Sequence, residues 1–237
     1  MSSQLTVKDT FKAAFPKTLP VMAGYLVLGF GFGLLLQSKG YNFIWAFMMS
    51  TFIFAGSMQY VAVDLLSSGA GLVASAIMTL MINARHLFYG ISMLVRYRDV
   101  GKAKPYLIFG LTDETYSLVS TDDLPESIDR SLFYLFVTAL DHSYWIIGSV
   151  IGALFGQAVA INTTGVEYSM TALFAVIVTD NLLKKQSRVP AIIGIVVSFV
   201  CLMIFGPSNF LIPSMIAITA VLLILRSKLE KEAEGDE

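Results

Sequence analysis

The sequence predicts an all-α integral membrane protein of about seven transmembrane helices, and three observations carry that prediction. Of 237 residues, 56% are apolar and only 14% charged. The apolar residues come in blocks of about the length that crosses a bilayer, and the charges gather between the blocks. The blocks are Leu19 to Leu36, Phe43 to Leu66, Gly71 to Val95, Ser131 to Phe155, Met170 to Leu183, Pro190 to Phe205 and Phe210 to Leu225. The fifth and sixth are short and Tyr106 to Ser120 reads as a partial extra span, so six or eight crossings are the alternatives.

Domain organisation follows from the same pattern. Residues 1–18 form a polar or interfacial segment, 19–225 the transmembrane domain and 226–237 a charged tail. The first block follows a mildly basic amphipathic stretch and is itself followed by further blocks, which is not the layout of a cleavable signal. A net charge of −1 says nothing about nucleic acid, and none is expected as a partner; the single cysteine, Cys201, excludes an intrachain disulfide and reads as a buried filler.

Lysine and arginine set the orientation. With seven crossings, Lys39, Arg96, Arg98, Lys102, Lys104, Arg130, Lys184, Lys185, Arg188, Arg226, Lys228 and Lys231 share one side, which the positive-inside rule makes cytoplasmic. The C-terminus is then inside and the N-terminus outside. Lys8, Lys12 and Lys17 before the first block oppose this, unless Phe11 to Pro16 lies in the interface or another crossing exists.

A faint repeat runs through the chain. "YLVLGFGFGLLL" from Tyr25 resembles "YWIIGSVIGALF" from Tyr144, and "FAGSMQYVAVDLL" from Phe54 resembles "FAVIVTDNLL" from Phe174. An offset of three crossings would make these inverted repeats with broken helices, the arrangement of transporters that hold solute near the midplane. A bundle without symmetry is the alternative. Gly148, Gly152 and Gly156, four apart, predict close helix packing, whereas alternating Gly29, Gly31 and Gly33 predict a local bend or break.

Polar residues inside apolar blocks are expensive and mark candidate sites. In the second block, Gly56, Ser57 and Gln59 suggest an opened helix that turns backbone groups toward a ligand, or else interhelical glue. In the third, Asn83, Arg85 and His86 stand in "LMINARHLFYGISML". The fourth carries Asp141 and His142, and an Arg85 to Asp141 pair would make both charges tolerable. Arginine also suits a carboxylate through two parallel donors, and the histidines titrate near neutrality. Asp113 and Glu114, with Thr112, form a gate, a proton or cation site, or simple loop acids, while Asp64 and Asp180 read as helix-end residues. No nucleophile elbow and no dense histidine cluster supports an enzyme; a channel or a structural subunit are the competing readings.

Taken together, Phe54, Ala55, Gly56, Ser57 and Gln59, then Asn83, Arg85, His86, Tyr89 and Gly90, then Thr112, Asp113 and Glu114 resemble the AzlC family, the large subunit of bacterial branched-chain amino-acid exporters. The resemblance implies export of branched-chain or related apolar amino acids across the bacterial cytoplasmic membrane, driven by the proton gradient without another cofactor. It also implies a small multispanning AzlD-type partner. Gly56, Ser57, Gln59, Asn83, Arg85 and His86 become pathway candidates, and the bulk of Met58 leaves methionine open beside valine and isoleucine.

Overall fold

The computed structural model describes residues 7–83, 85–120, 124–125, 128–159, 165, 168, 171–172, 175, 178–179, 182–183, 185–207 and 209–234. Asp180 and the side chain of Arg85 lie outside the described set. The chain divides into two compact units, Met1–Ser169 and Met170–Glu237. The first contains α1 (Val7–Ser38), α2 (Phe43–Phe52), α3 (Gly56–Ser67), α4 (Leu72–Asn83), α5 (Arg85–Met93), α6 (Lys104–Phe109), α7 (Asp113–Val119) and α8 (Arg130–Ala158). The second contains α9 (Lys185–Phe205) and α10 (Leu211–Glu234). Among the described residues there is no strand.

Among the described residues three helices are long and apolar enough to cross a membrane: α1, α8 and Arg188–Phe205 within α9. In α1 the stretch before the first apolar block is helical and continuous with it, giving a rod of about 48 Å at 1.5 Å per residue. Helix α8 starts where Asp129 accepts a hydrogen bond from the Leu132 N–H, the usual N-cap arrangement.

The first unit is built on the pairing of α1 with α8. Gly29 and Gly33, one turn apart, lie against Ser149, Gly152 and Ala153, while Gly148 and Gly152 lie against the backbone of Tyr25, Leu26 and Phe30. A Cβ at Gly29 would come within 3.0 Å of the Trp145 carbonyl, and one at Gly148 within 2.9 Å of the Tyr25 carbonyl. The break that is one of the two expectations for Gly29, Gly31 and Gly33 is therefore not found; α1 continues through them as one helix. Helix-weakening glycines cost about 1 kcal/mol each relative to alanine. Here that cost is offset by the close backbone approach of two long helices, which gains dispersion contacts along both.

Partner numbers along this pair rise together. Phe11 packs on Phe136, Thr18 on Tyr144, Gly29 on Gly148 and Gln37 on Gly156. The two helices run parallel. The expected three-crossing inverted offset would set the first and fourth apolar blocks antiparallel, so that pairing of repeats does not hold. A second consequence is electrostatic: Lys8, Lys12 and Lys17 stand at the same end of the pair as Arg130.

Around that end lies an apolar cluster of Ala14, Tyr97, Leu107, Val119, Phe133 and Val137. It includes the entrance of α6 and the exit of α7 together with the first turns of α8. In the second unit Cys201 and Ser214 are buried, and Pro190, Phe199 and Phe210 help line an apolar cavity of about 750 Å³.

Candidate functional site

Two helix interruptions meet beside the middle of α8. The first separates α2 from α3 at Ile53–Ala55, where Phe54 has φ 42°. A bulky residue rarely occupies the left-handed region, and such strain costs about 1–3 kcal/mol unless the surroundings hold it. The Phe54 ring supplies the hold: it lies 4.3 Å from the His142 ring and packs edge-on to Tyr25 at 6.3 Å. The second interruption separates α6 from α7 at Gly110–Thr112, and a Cβ on Gly110 would stand 3.8 Å from the Phe54 ring.

Gln59 fastens the first interruption. Fully buried, it accepts from the Ala55 N–H at 3.2 Å and from the Trp145 indole N–H at 2.9 Å, and donates to Ser50 Oγ at 3.3 Å. Ala55 has no capping side chain of its own, and Gln59 reaches back from the start of α3 to take the Ala55 N–H, much as the acceptor of a capping box does. This combines the two sequence readings of Gln59. It is interhelical glue, and what it holds in place is an opened helix.

His142 secures the other side. Its Nε2 lies 3.1 Å from the Ser50 carbonyl and its Nδ1 3.1 Å from the Tyr106 hydroxyl. A carbonyl only accepts, so Nε2 carries hydrogen and, in the neutral ring, Nδ1 accepts from Tyr106. The carbonyl satisfied is one left over at the end of α2.

The second interruption carries the acids. Thr112 caps α7 and receives the Thr115 N–H at 3.2 Å. Tyr25 O–H lies 2.8 Å from Glu114 Oε2 and 2.7 Å from Thr112 Oγ1. Thr112 Oγ1 is 3.1 Å from Thr115 Oγ1, which donates to Asp141 Oδ2 at 2.8 Å. Asp141 is fully buried, and its Oδ1 has no hydrogen-bond partner among the described residues.

Of the residues singled out in the sequence, Gly56, Ser57, Gln59, Asp113, Glu114, Asp141 and His142 stand on these two interruptions and on the stretch of α8 beside them. Asn83, Arg85 and His86 stand at the α4–α5 junction. His86 Nδ1 lies 3.1 Å from the Asn83 carbonyl, and the His86 ring meets Tyr89, which stacks on Tyr116 of α7 at 5.0 Å. The Arg85 to Asp141 pair concerns a side chain outside the described residues.

His86 also lines a cavity of about 400 Å³ with Met93, Tyr97, Lys104 and Leu111. Tyr97 follows α5, and burial pushes its phenol well above the ordinary range. Phe54 and Met58 are buried, at 2% and 5% exposure.

Sequence reasoning missed Ser50, Tyr106, Thr115 and Trp145. Each is an ordinary residue in an apolar block or short segment, and only the fold brings it to a polar partner. For Tyr25 the signal was its position opening the first of the two repeated segments.

The AzlC protein family matches residues 20–159. The branched-chain amino acid transport protein AzlC of Bacillus subtilis (strain 168) is 44% identical over 231 residues, covering 98% of this chain and 91% of that protein. An uncharacterized membrane protein of Haemophilus influenzae is 38% identical, covering 97% of this chain and 94% of its own length. The inner membrane protein YgaZ of Escherichia coli (strain K12) is 29% identical, covering 75% and 76%. No solved structure matches. These relatives and the apolar helices make the protein a multi-pass membrane protein. With the family matching more than half of it and a relative 44% identical along nearly all of it, the chain belongs to the AzlC family.

Proposed function

We propose that the protein is a transporter rather than an enzyme, and that it exports branched-chain amino acids, or related apolar ones such as methionine, by proton-coupled alternating access. The observation that carries this is the meeting of two interrupted helices beside buried Asp141 and His142, in a chain 44% identical to a branched-chain amino acid transport protein. Interrupted helices expose backbone donors and acceptors where a membrane otherwise offers none.

The two interruptions suit the two ends of a zwitterion. The N-terminal end of α3, which starts at Gly56 with no cap from the Ala55 side chain, suits a carboxylate through the helix dipole, with Arg85 as a donor in the same role. The first turn of α7 carries Asp113 and Glu114, which suit the ammonium. The apolar side chain packs against Phe54 and Met58 once the packing between them opens. The small AzlD-type subunit belongs against the exposed apolar helices; α4 contains no buried residue, with Leu72 and Val73 89% and 75% exposed.

The geometry also favours six crossings over seven. Ala103 before α6 and Leu118 and Val119 at the end of α7 join one cluster with Phe133, as do Leu107 and Leu111 between them, while Thr115 reaches Asp141, eight residues further along α8. The α6–α7 segment thus enters and returns on one side. Ser50 and Gln59 bond across the α2–α3 interruption, as in a second such loop. Helices α1, α4–α5 and α8 then cross, and the three apolar blocks of Met170–Glu237 complete the count. Both termini become cytoplasmic, in the inner membrane of a bacterium, and the lysines before α1 no longer oppose the positive-inside rule.

Cysteines placed at Lys8 and at Lys39, in a Cys201→Ser background, check this. The first is expected to react with a membrane-impermeant thiol reagent only from the cytoplasmic side and the second only from outside. Labelling of both from one side contradicts it. For function, cells fed leucine-containing dipeptides are expected to release several-fold more leucine when the protein and its partner are expressed. Unchanged release at verified membrane expression contradicts export.

A further inference from the structure

The oxygens joining Glu114 to Asp141 form a chain of four contacts: Glu114 to Tyr25 at 2.8 Å, Tyr25 to Thr112 at 2.7 Å, Thr112 to Thr115 at 3.1 Å and Thr115 to Asp141 at 2.8 Å. Each contact needs one hydrogen. The hydroxyls of Tyr25, Thr112 and Thr115 supply three. With both carboxyls ionised, Tyr25 donates to Glu114, Thr112 to Thr115 and Thr115 to Asp141, and the 2.7 Å contact between Tyr25 and Thr112 is left with facing lone pairs. Two ionised carboxylates here would also repel within a poorly solvated interior.

We infer that Glu114 and Asp141 hold one proton between them and that the Tyr25, Thr112 and Thr115 hydroxyls relay it from one carboxyl to the other. With the proton on Glu114, the chain runs Glu114 to Tyr25 to Thr112 to Thr115 to ionised Asp141. With the proton on Asp141, every donor reverses, Thr112 accepting from both the Thr115 hydroxyl and the Thr115 N–H. Each oxygen gives up one hydrogen and takes one, so one charge moves and no heavy atom has to.

The other groups around Asp141 leave the count unchanged. Among the described residues Tyr25 of α1, Tyr106 of α6 and Glu114 of α7 act electrostatically with it or with its network, and α2 carries no titratable residue. His142, next on α8, turns to Ser50 and Tyr106 instead. The relay deepens the transport reading and rests on it for its purpose: solute binding at the acids of α7 would displace the proton toward Asp141.

Infrared spectroscopy of the purified protein in nanodiscs, with hydrogen–deuterium exchange, tests the count without any transport. The wild type is expected to show a protonated-carboxyl band that Glu114→Gln and Asp141→Asn each remove, because either amide supplies the fourth hydrogen permanently. Thr115→Ser keeps the hydroxyl and should keep the band. No such band in the wild type, or its persistence in either amide variant, overturns the proposal; the wild-type arm stands even where a variant fails to fold. In proteoliposomes, Tyr25→Phe is expected to lower pH-gradient-driven leucine movement at least fivefold more than it lowers counterflow at equal pH, and equal loss of both overturns the relay. Absence of wild-type counterflow alongside the infrared band rejects the transport reading alone.

Discussion

Gly152→Val is expected to prevent stable assembly of the first unit. A Cβ at this position meets the carbonyl oxygen, carbonyl carbon and Cα of Phe30, the last two at 2.7 Å, and all three belong to the backbone of α1. A flexible side chain can yield to such an intrusion; a helix in mid-span cannot. Overpacking typically costs about 1–3 kcal/mol, and here the change also forces α1 from α8 along neighbouring turns, so the effect belongs at or above the top of that range. The same argument applies to Gly33, whose Cβ would strike Ser149 and Ala153. Gly24 is the control: nothing lies within 4 Å of its position, and Gly24→Ala, in the interior of α1, should leave stability unchanged or raise it by up to about 1 kcal/mol. Thermal unfolding of detergent-purified protein measures both. An unfolding midpoint for Gly152→Val within a degree or two of the wild type would contradict the packing described.

The second large effect is at Gln59. Gln59→Leu keeps an apolar side chain in a buried place but strips partners from the Ala55 N–H, the Trp145 indole and Ser50 Oγ. An orphaned buried polar group costs about 1–3 kcal/mol, so the loss should reach about 3 kcal/mol or more, together with loss of transport as the α2–α3 interruption collapses or reorganises. Adding Trp145→Phe discriminates this from simple misfit. In the wild type that change removes a donor that is satisfied; in the Gln59→Leu background it removes one already orphaned, so its cost should be smaller there. Additive costs would mean that the two side chains do not share the proposed bond.

Much of this was readable from the chain because membranes punish polarity. Gln59, Asp141 and His142 are conspicuous inside apolar blocks, and all three proved buried and hydrogen-bonded at one place. The glycines were conspicuous too, but their meaning depended on what they faced. Spacing of four identified Gly148 and Gly152 as a packing surface; the alternation of Gly29, Gly31 and Gly33 suggested a break because the sequence does not show that α8 fills the groove they leave. The break lies between α2 and α3, beside the Gly56–Ser57 pair that suggested an opened helix, and it is centred on a phenylalanine that no local propensity would send to positive φ. Apolar length counted blocks but could not tell a crossing from a segment that enters and returns. The parallel course of α1 and α8 brings the lysines of α1 to the end that holds Arg130, which is what supports the proposed six crossings. Thr115 and Tyr106 left no sequence signal, as threonine and tyrosine hydroxyls are common in short segments and their partners are 26 and 36 residues away.

The most direct test of the transport account is counterflow in proteoliposomes holding the protein together with its small partner subunit. Vesicles loaded with unlabelled leucine are expected to take up external labelled leucine transiently, with isoleucine, valine and methionine competing and an inward or outward pH gradient shifting the steady level. If none of the four amino acids moves above protein-free vesicles, with folded protein verified in the membrane and with the partner both present and absent, the account is wrong about what this site handles.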